Sequence, residues 1–170
     1  MSECAQARPV LAKYCKGLGL EIGAGGEKTV PDDSLITLDL PQPYTSVGTV
    51  QQTLRGHCGD LSGFCDNVLD YIIQHHVAED FVWPELETIV REWHRVLKVG
   101  GLCIFNNPNQ QKFLAHCAAT GQGTNDAHKE VDFSLEALKA NVIDKTGPWE
   151  ILFENPDVPP YSFYLVVKKL

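Results

Sequence analysis

Two short apolar runs flank one strongly amphipathic segment, and that arrangement restricts the fold more than any other feature. Val68 to Gln74 reads VLDYIIQ, mostly apolar, as strands buried on both faces are. Leu86, Ile89, Val90, Trp93, Val96 and Leu97 then recur at helical spacing, with Pro84 at the start and Gly100 and Gly101 just past the end. A second strand, LCIFNN, follows from Leu102. Strand, helix and strand in this order predict a unit of a mainly parallel sheet.

The remaining elements agree with that unit. Gly19 to Ile22 and Leu35 to Leu40 read as strands bounded by Gly, Pro or Asp. Pro31 lies between them, so any helix there is expected to be short. A short helix is expected over Val10 to Lys16, a further strand within Leu54 to Leu61, and a second amphipathic helix from Ser134 to Ile143 with Ser134 as its cap. WEILFE and YSFYLVVKK are separated only by Asn155 to Pro160, too short for a crossover, and predict an antiparallel hairpin. The expectation is one α/β domain over residues 1–170, a layered sandwich with a mostly parallel sheet and an antiparallel last strand.

Charge and composition exclude several function classes. Fourteen Lys and Arg against 22 Asp and Glu leave a formal charge of -8, which opposes nucleic acid or an anionic membrane as the main partner. The longest apolar run is too short to span a bilayer, and MSECAQARPVLAKYCKG has no signal-peptide core. Six cysteines form no CxxC pair, which predicts reduced thiols in a cytoplasmic protein rather than a disulfide framework or zinc site. HHVAED gives H-x-x-E-D, one residue from a metalloprotease pattern, but Pro84 opposes one long ligand helix, and no metal is expected.

The segment GLGLEIGAGGEKTVPDDSLITLDL holds the main chemical signal. Gly23 and Gly25 follow a strand and allow close backbone approach to a ligand. Asp39 ends the next strand, where a carboxylate can accept both hydroxyls of a ribose. A dinucleotide fingerprint begun at Gly23 needs a third small residue where Lys28 stands, so a nicotinamide or flavin dinucleotide is disfavoured. A nucleoside cofactor without a diphosphate suits the turn better.

At this point the chain resembles the class I S-adenosylmethionine-dependent methyltransferases, in the branch called methyltransferase type 11. LEIGAGG is similar to their first motif, with Glu27 where many members have a third glycine. LDL supplies the ribose acid Asp39, GDL at Gly59 to Leu61 the adenine segment, and FCDNVLDYIIQHHVAEDF the fourth-strand motif. LETIVREWHRVLKVGG is similar to the helix that follows, with Val99 in place of proline. The resemblance implies a Rossmann-like seven-stranded sheet and S-adenosylmethionine as cofactor. It further implies Glu21, Gly23, Ala24, Gly25, Asp39, Leu40, Asp60, Leu61, Gln74 and His75 as cofactor contacts.

Beside those implied roles, Asp70 is expected to bond backbone or a neighbour at the strand start, because an unpaired charge inside an apolar strand is costly. His76, Asn107 and His128 are the candidates to face an acceptor, and His75 or His76 the candidates for a general base if the acceptor must lose a proton. NNPN superficially resembles the N-P-P-Y loop of DNA amino-methyltransferases, but it follows the fifth strand and lacks Pro-Pro-Tyr. The expected activity is therefore methyl transfer to a small molecule, a metabolite or glycan precursor. The 109–133 insertion, a second subunit in a homodimer, or a partner protein would complete the acceptor site. A non-catalytic module that binds the cofactor or a partner is the alternative, and a dinucleotide oxidoreductase ranks behind both.

Overall fold

A computed structural model describes residues 3–25, 27–31, 34–40 and 52–170; Gly26 of the GAGG turn lies outside them. Seven strands form one sheet: β1 (Gly19–Ile22), β2 (Ile36–Asp39), β3 (Leu54–Arg55), β4 (Leu69–His75), β5 (Leu97–Pro108), β6 (Trp149–Val158) and β7 (Ser162–Lys169). Their order is β3-β2-β1-β4-β5-β7-β6. The first five are mutually parallel, and β7 runs antiparallel to both β5 and β6. The predicted α/β sandwich with its closing hairpin is the fold observed.

VLDYIIQ becomes the central strand β4, buried along nearly its whole length. Asp70 is its half-exposed exception: Oδ1 accepts from Lys98 Nζ at 2.7 Å and Oδ2 from the Leu18 amide at 2.8 Å. The bond from Lys98, then that from Leu18, holds its carboxyl below the usual range. One face of the sheet is covered by α2 (Trp83–Val96) and by a helical stretch from Leu135 to Thr146; the other receives α1 (Glu3–Leu11).

Several elements differ from the sequence expectation, among them β6, which runs on to Val158 through residues expected as connector and pairs Asn155 with Tyr164 and Val158 with Ser162. The first helix spans Glu3–Leu11, and Ala12–Tyr14 form only a 3-10 turn. Its buried stripe is Cys4, Ala7 and Leu11, and two small side chains make a weak hydrophobic signal. The 109–133 insertion contains a full helix, α3 (Gln110–Thr120), capped by the Asn109 side chain on the Lys112 amide and ended by Gly121 at φ 72°. Its inward residues are Gln110, Phe113 and Cys117, a stripe too polar to show in a periodicity. The helix from Ser134 is capped as expected, by Oγ on the Ala137 amide, but α4 (Leu135–Leu138) widens into a π turn over Lys139–Ile143 and ends in α5 (Asp144–Thr146). Finally, β5 starts at Leu97, five residues early, because Leu69 pairs Leu97 and Tyr71 pairs Leu102 across an irregularity that absorbs the glycine pair.

Among the described residues, no helix is long and apolar enough to cross a membrane.

Candidate active site

Parallel strands deliver the candidate residues to one edge, the carboxyl ends of β1, β2, β4 and β5, where open α/β sheets bind ligands. The glycine turn leaves β1 with Gly23 at φ 69° and Gly25 at φ 56°, the left-handed region that favours glycine. The Gly23 amide donates to Leu38 O at 3.0 Å, which ties the turn to β2. A Cβ on Gly23 would stand 2.4 Å from Val77 Cγ2, whereas one on Gly25 would meet nothing within 4 Å among the described residues. The Gly23 side of the turn is thus packed against the β4 loop, while the Gly25 Cβ position faces no described side chain and its carbonyl accepts from Gln52 Nε2 at 3.3 Å. Ala24 is buried between them.

Asp39 stands half-buried at the end of β2, with Oδ1 accepting from the Leu40 amide at 2.8 Å. Asp60 lies outward on the next loop; the Ser62 hydroxyl, at 2.7 Å from Oδ1, and the Ser62 amide hold its carboxyl below the usual range. Leu61 turns its side chain into the core, and its carbonyl accepts from Arg95 Nη2 at 3.1 Å.

Glu21, Gln74 and His75 belong to buried hydrogen-bond networks. Both Glu21 oxygens accept from the Thr29 amide, at 2.9 and 3.1 Å, and Oε1 also accepts from the Thr29 hydroxyl at 2.9 Å. Thr29 Oγ1 in turn contacts His75 Nε2, while Asn106 Nδ2 donates to His75 Nδ1 at 2.9 Å. This relay places the imidazole hydrogen on Nε2, pointing through Thr29 toward the carboxylate. Cys4 completes a trio with Glu21 and His75 whose ligand atoms lie within 4.8 Å of one another, close enough for one metal ion. Thr29 and Asn106 already engage the carboxylate and both ring nitrogens, so hydrogen bonding alone accounts for the trio.

A second network collects the residues expected to face an acceptor. Gln74 bonds Asn107, and Asn107 Nδ2 donates to Glu79 Oε2 at 2.6 Å. Glu79 is almost fully buried. Its Oε1 makes no hydrogen bond of good geometry among the described residues, yet lies 3.3 Å from His76 Nδ1 and 3.9 Å from His128 Nε2. Both imidazole nitrogens thus approach this carboxylate oxygen outside hydrogen-bond geometry. His128 is held on the insertion by Gln110 Oε1 at 2.7 Å from its Nδ1. His76 adopts φ 50°, a conformation uncommon for a non-glycine residue and concentrated at functional sites. Its Nε2 lies 3.4 Å from Ser162 Oγ. Tertiary structure thus brings His76, Asn107 and His128 together around one buried carboxylate. Glu79, Thr29, Gln110 and Ser162 are the participants that residue patterns did not single out; the H-x-x-E spacing contained a signal only for Glu79.

Asp80, next to this cluster, has its carboxyl pushed up to about 7 by burial and by the Glu79 charge, against the opposing pull of Lys129 and His76. A carboxyl raised above its unfolded value stabilises the fold most below that value, near 3.8, and loses the contribution as pH rises to about 7. Asp80→Asn is accordingly expected to raise the melting temperature more at pH 7.5 than at pH 5 (~ values on either side of most of this loss). Thermal melts of both proteins at the two pH values test this; an equal gain at both would refute it.

The sequence matches the methyltransferase domain family over residues 20–105. The chain belongs to that family. S-adenosylmethionine is the cofactor of this methyltransferase family, and the site fits it: the glycine turn is tied at Gly23 to Leu38, the residue before the strand-end carboxylate of Asp39. Between β1 and β2 the described residues form no helix, so no helix N-terminus is in place there for a diphosphate. Solved structures share the methyltransferase fold at low identity. An S-adenosylmethionine-dependent methyltransferase of Archaeoglobus fulgidus aligns at TM-score 0.67 with 15% identity, over 99% of this chain and 95% of that one. One from Methanosarcina mazei aligns at 0.62 and 16%, over 95% and 97%. A Haloferax volcanii protein solved in complex with the Trm112 methyltransferase activator aligns at 0.65 and 14%, over 96% and 87%. No curated protein sequence matches the chain.

Proposed function

We propose that this methyltransferase transfers a methyl group from S-adenosylmethionine to a small-molecule acceptor. The observation that supports it most is the shared sheet edge: the glycine turn leaves the carboxyl end of β1 and packs at Gly23 against Val77, which follows His76 in the loop after β4. In this reading Gly23, Ala24 and Gly25 offer backbone to the cofactor and Asp39 with Leu40 receives the ribose. Asp60 and Leu61 flank the adenine. Glu21, Gln74 and His75 shape the floor through Thr29 and Asn107.

The cofactor supplies a methyl already activated by the sulfonium, so the chain's main task is to align the acceptor. His76 and His128 flank the acceptor with Asn107 behind them. His76 in its neutral form, with Nδ1 3.3 Å from Glu79 Oε1, is the group that takes a proton from a hydroxyl or amine acceptor. The whole chain acts as one domain. A cytoplasmic setting is supported by six free cysteines, five of them buried. The activator-bound Haloferax neighbour supports a search for a partner protein, and a homodimer would serve the same purpose.

Calorimetric titration with S-adenosylmethionine, S-adenosylhomocysteine and NAD tests the cofactor. Binding of the first two and not the third is the expected result; NAD binding alone would overturn the reading. Release of S-adenosylhomocysteine with a panel of small hydroxyl, amine and thiol acceptors then separates an enzyme from a binding module, which would bind without turnover.

A further inference from the structure

The described residues after the glycine turn take no helical form, and Thr29 anchors them from inside. From outside, α1 grips the same stretch with one side chain. Arg8 Nε donates to Thr29 O at 2.8 Å, and Nη2 donates to Lys28 O and to Glu27 Oε1, each at 2.8 Å. Three acceptors from three consecutive residues thus converge on one guanidinium, a match its planar fork makes and an ammonium cannot. The same helix reaches the turn a second time, with Cys4 Sγ 3.9 Å from Ala24 O.

The grip matters because of what Thr29 touches. Its amide and hydroxyl occupy the Glu21 carboxylate, and its hydroxyl meets His75. Any outward movement of residues 27–29 therefore releases Glu21 and His75 beneath the turn, leaving buried polar groups unpaired. The Arg8 and Glu27 side chains are 36% and 40% exposed, so the ion pair itself is screened and weak. The two backbone carbonyls make the clamp specific.

We propose that Arg8 is a positioning residue for the cofactor. It straps the loop after the glycine turn onto α1 and so holds Thr29, Glu21 and the Gly25 face in the binding geometry. The proposal rests on the reading that this turn receives S-adenosylmethionine. It assigns a function to the N-terminal helix, which otherwise only covers one face of the sheet.

Two measurements on the full chain test it. Backbone amide hydrogen exchange of the cofactor-free protein reads the strap directly. Arg8→Gln is expected to speed exchange at the Thr29 amide about tenfold and to leave the β4 amide of Ile73 unchanged. Calorimetric titration with S-adenosylhomocysteine is expected to show binding about tenfold weaker in Arg8→Gln, not restored in Arg8→Lys. Glu27→Ala, which removes one of the three acceptors, is expected to lose about threefold and gives the same readout should Arg8→Gln fail to fold. Equal affinity in the unaltered protein, Arg8→Gln and Glu27→Ala overturns the proposal while the cofactor reading stands. Absence of binding by the unaltered protein overturns the cofactor reading itself, and unchanged Thr29 exchange then shows that Arg8 holds nothing in place.

Discussion

Asp39→Ala is expected to weaken S-adenosylmethionine binding about 100-fold, the largest single loss of affinity at this site. The carboxylate stands at the carboxyl end of β2, half-buried, with the Leu40 amide on Oδ1. A ribose presents two hydroxyls to it, and each charge-assisted bond contributes about 1.5–3 kcal/mol. Asp39→Asn keeps an acceptor oxygen without the charge and is expected to fall between the two. Calorimetry under one buffer condition measures all three proteins. A loss under about fivefold for the alanine variant would remove Asp39 from the ribose site, since one charge-assisted bond alone exceeds that. Because the side chain faces partly outward, melting temperature is expected to stay close to that of the unaltered protein.

The largest effect on stability is expected from Trp93→Ala, about 4 kcal/mol. Trp93 is fully buried on α2, its ring 6.0 Å from that of Phe105 on β5. Its Nε1 donates to Cys58 O at 2.8 Å. The substitution leaves both a cavity and an unpaired buried carbonyl. That carbonyl belongs to the segment leading to Asp60 and Leu61, so the loop proposed to flank the adenine is expected to loosen with the core. Trp93→Phe fills much of the cavity but leaves the carbonyl unpaired, and about 1–2 kcal/mol is expected. Urea unfolding of the three proteins checks the order; a loss below about 1 kcal/mol for the alanine variant would contradict a close-packed site.

Where local pattern decides structure, residue order was sufficient. VLDYIIQ, the α2 stripe up to Val96 and the glycine turn each repeat a short-range rule of spacing or turn chemistry and form where that rule puts them, and the terminal hairpin forms with its first strand extended to Val158. Asp39 was legible for the same reason, as a charged residue at the end of an apolar strand. The helix α3 was not, because its inward face is Gln110, Phe113 and Cys117. Those residues are buried by long-range packing and not by a hydrophobic period of their own.

The site divides along the same line. Glycines and a strand-end acid announce a nucleoside cofactor because backbone freedom and one carboxylate are local properties, and together with the neighbouring motifs they identified the methyltransferase family. The partners of those residues are not local. Thr29 reaches back to Glu21 and across to His75, Arg8 from α1 holds Thr29 from outside, and His128 comes in on the insertion to the Glu79 carboxylate. No spacing encodes such contacts, because they exist only once a parallel sheet has brought several strand ends to one edge. Chain order thus settled which cofactor chemistry the protein has; packing alone decided which side chains bond the candidate residues.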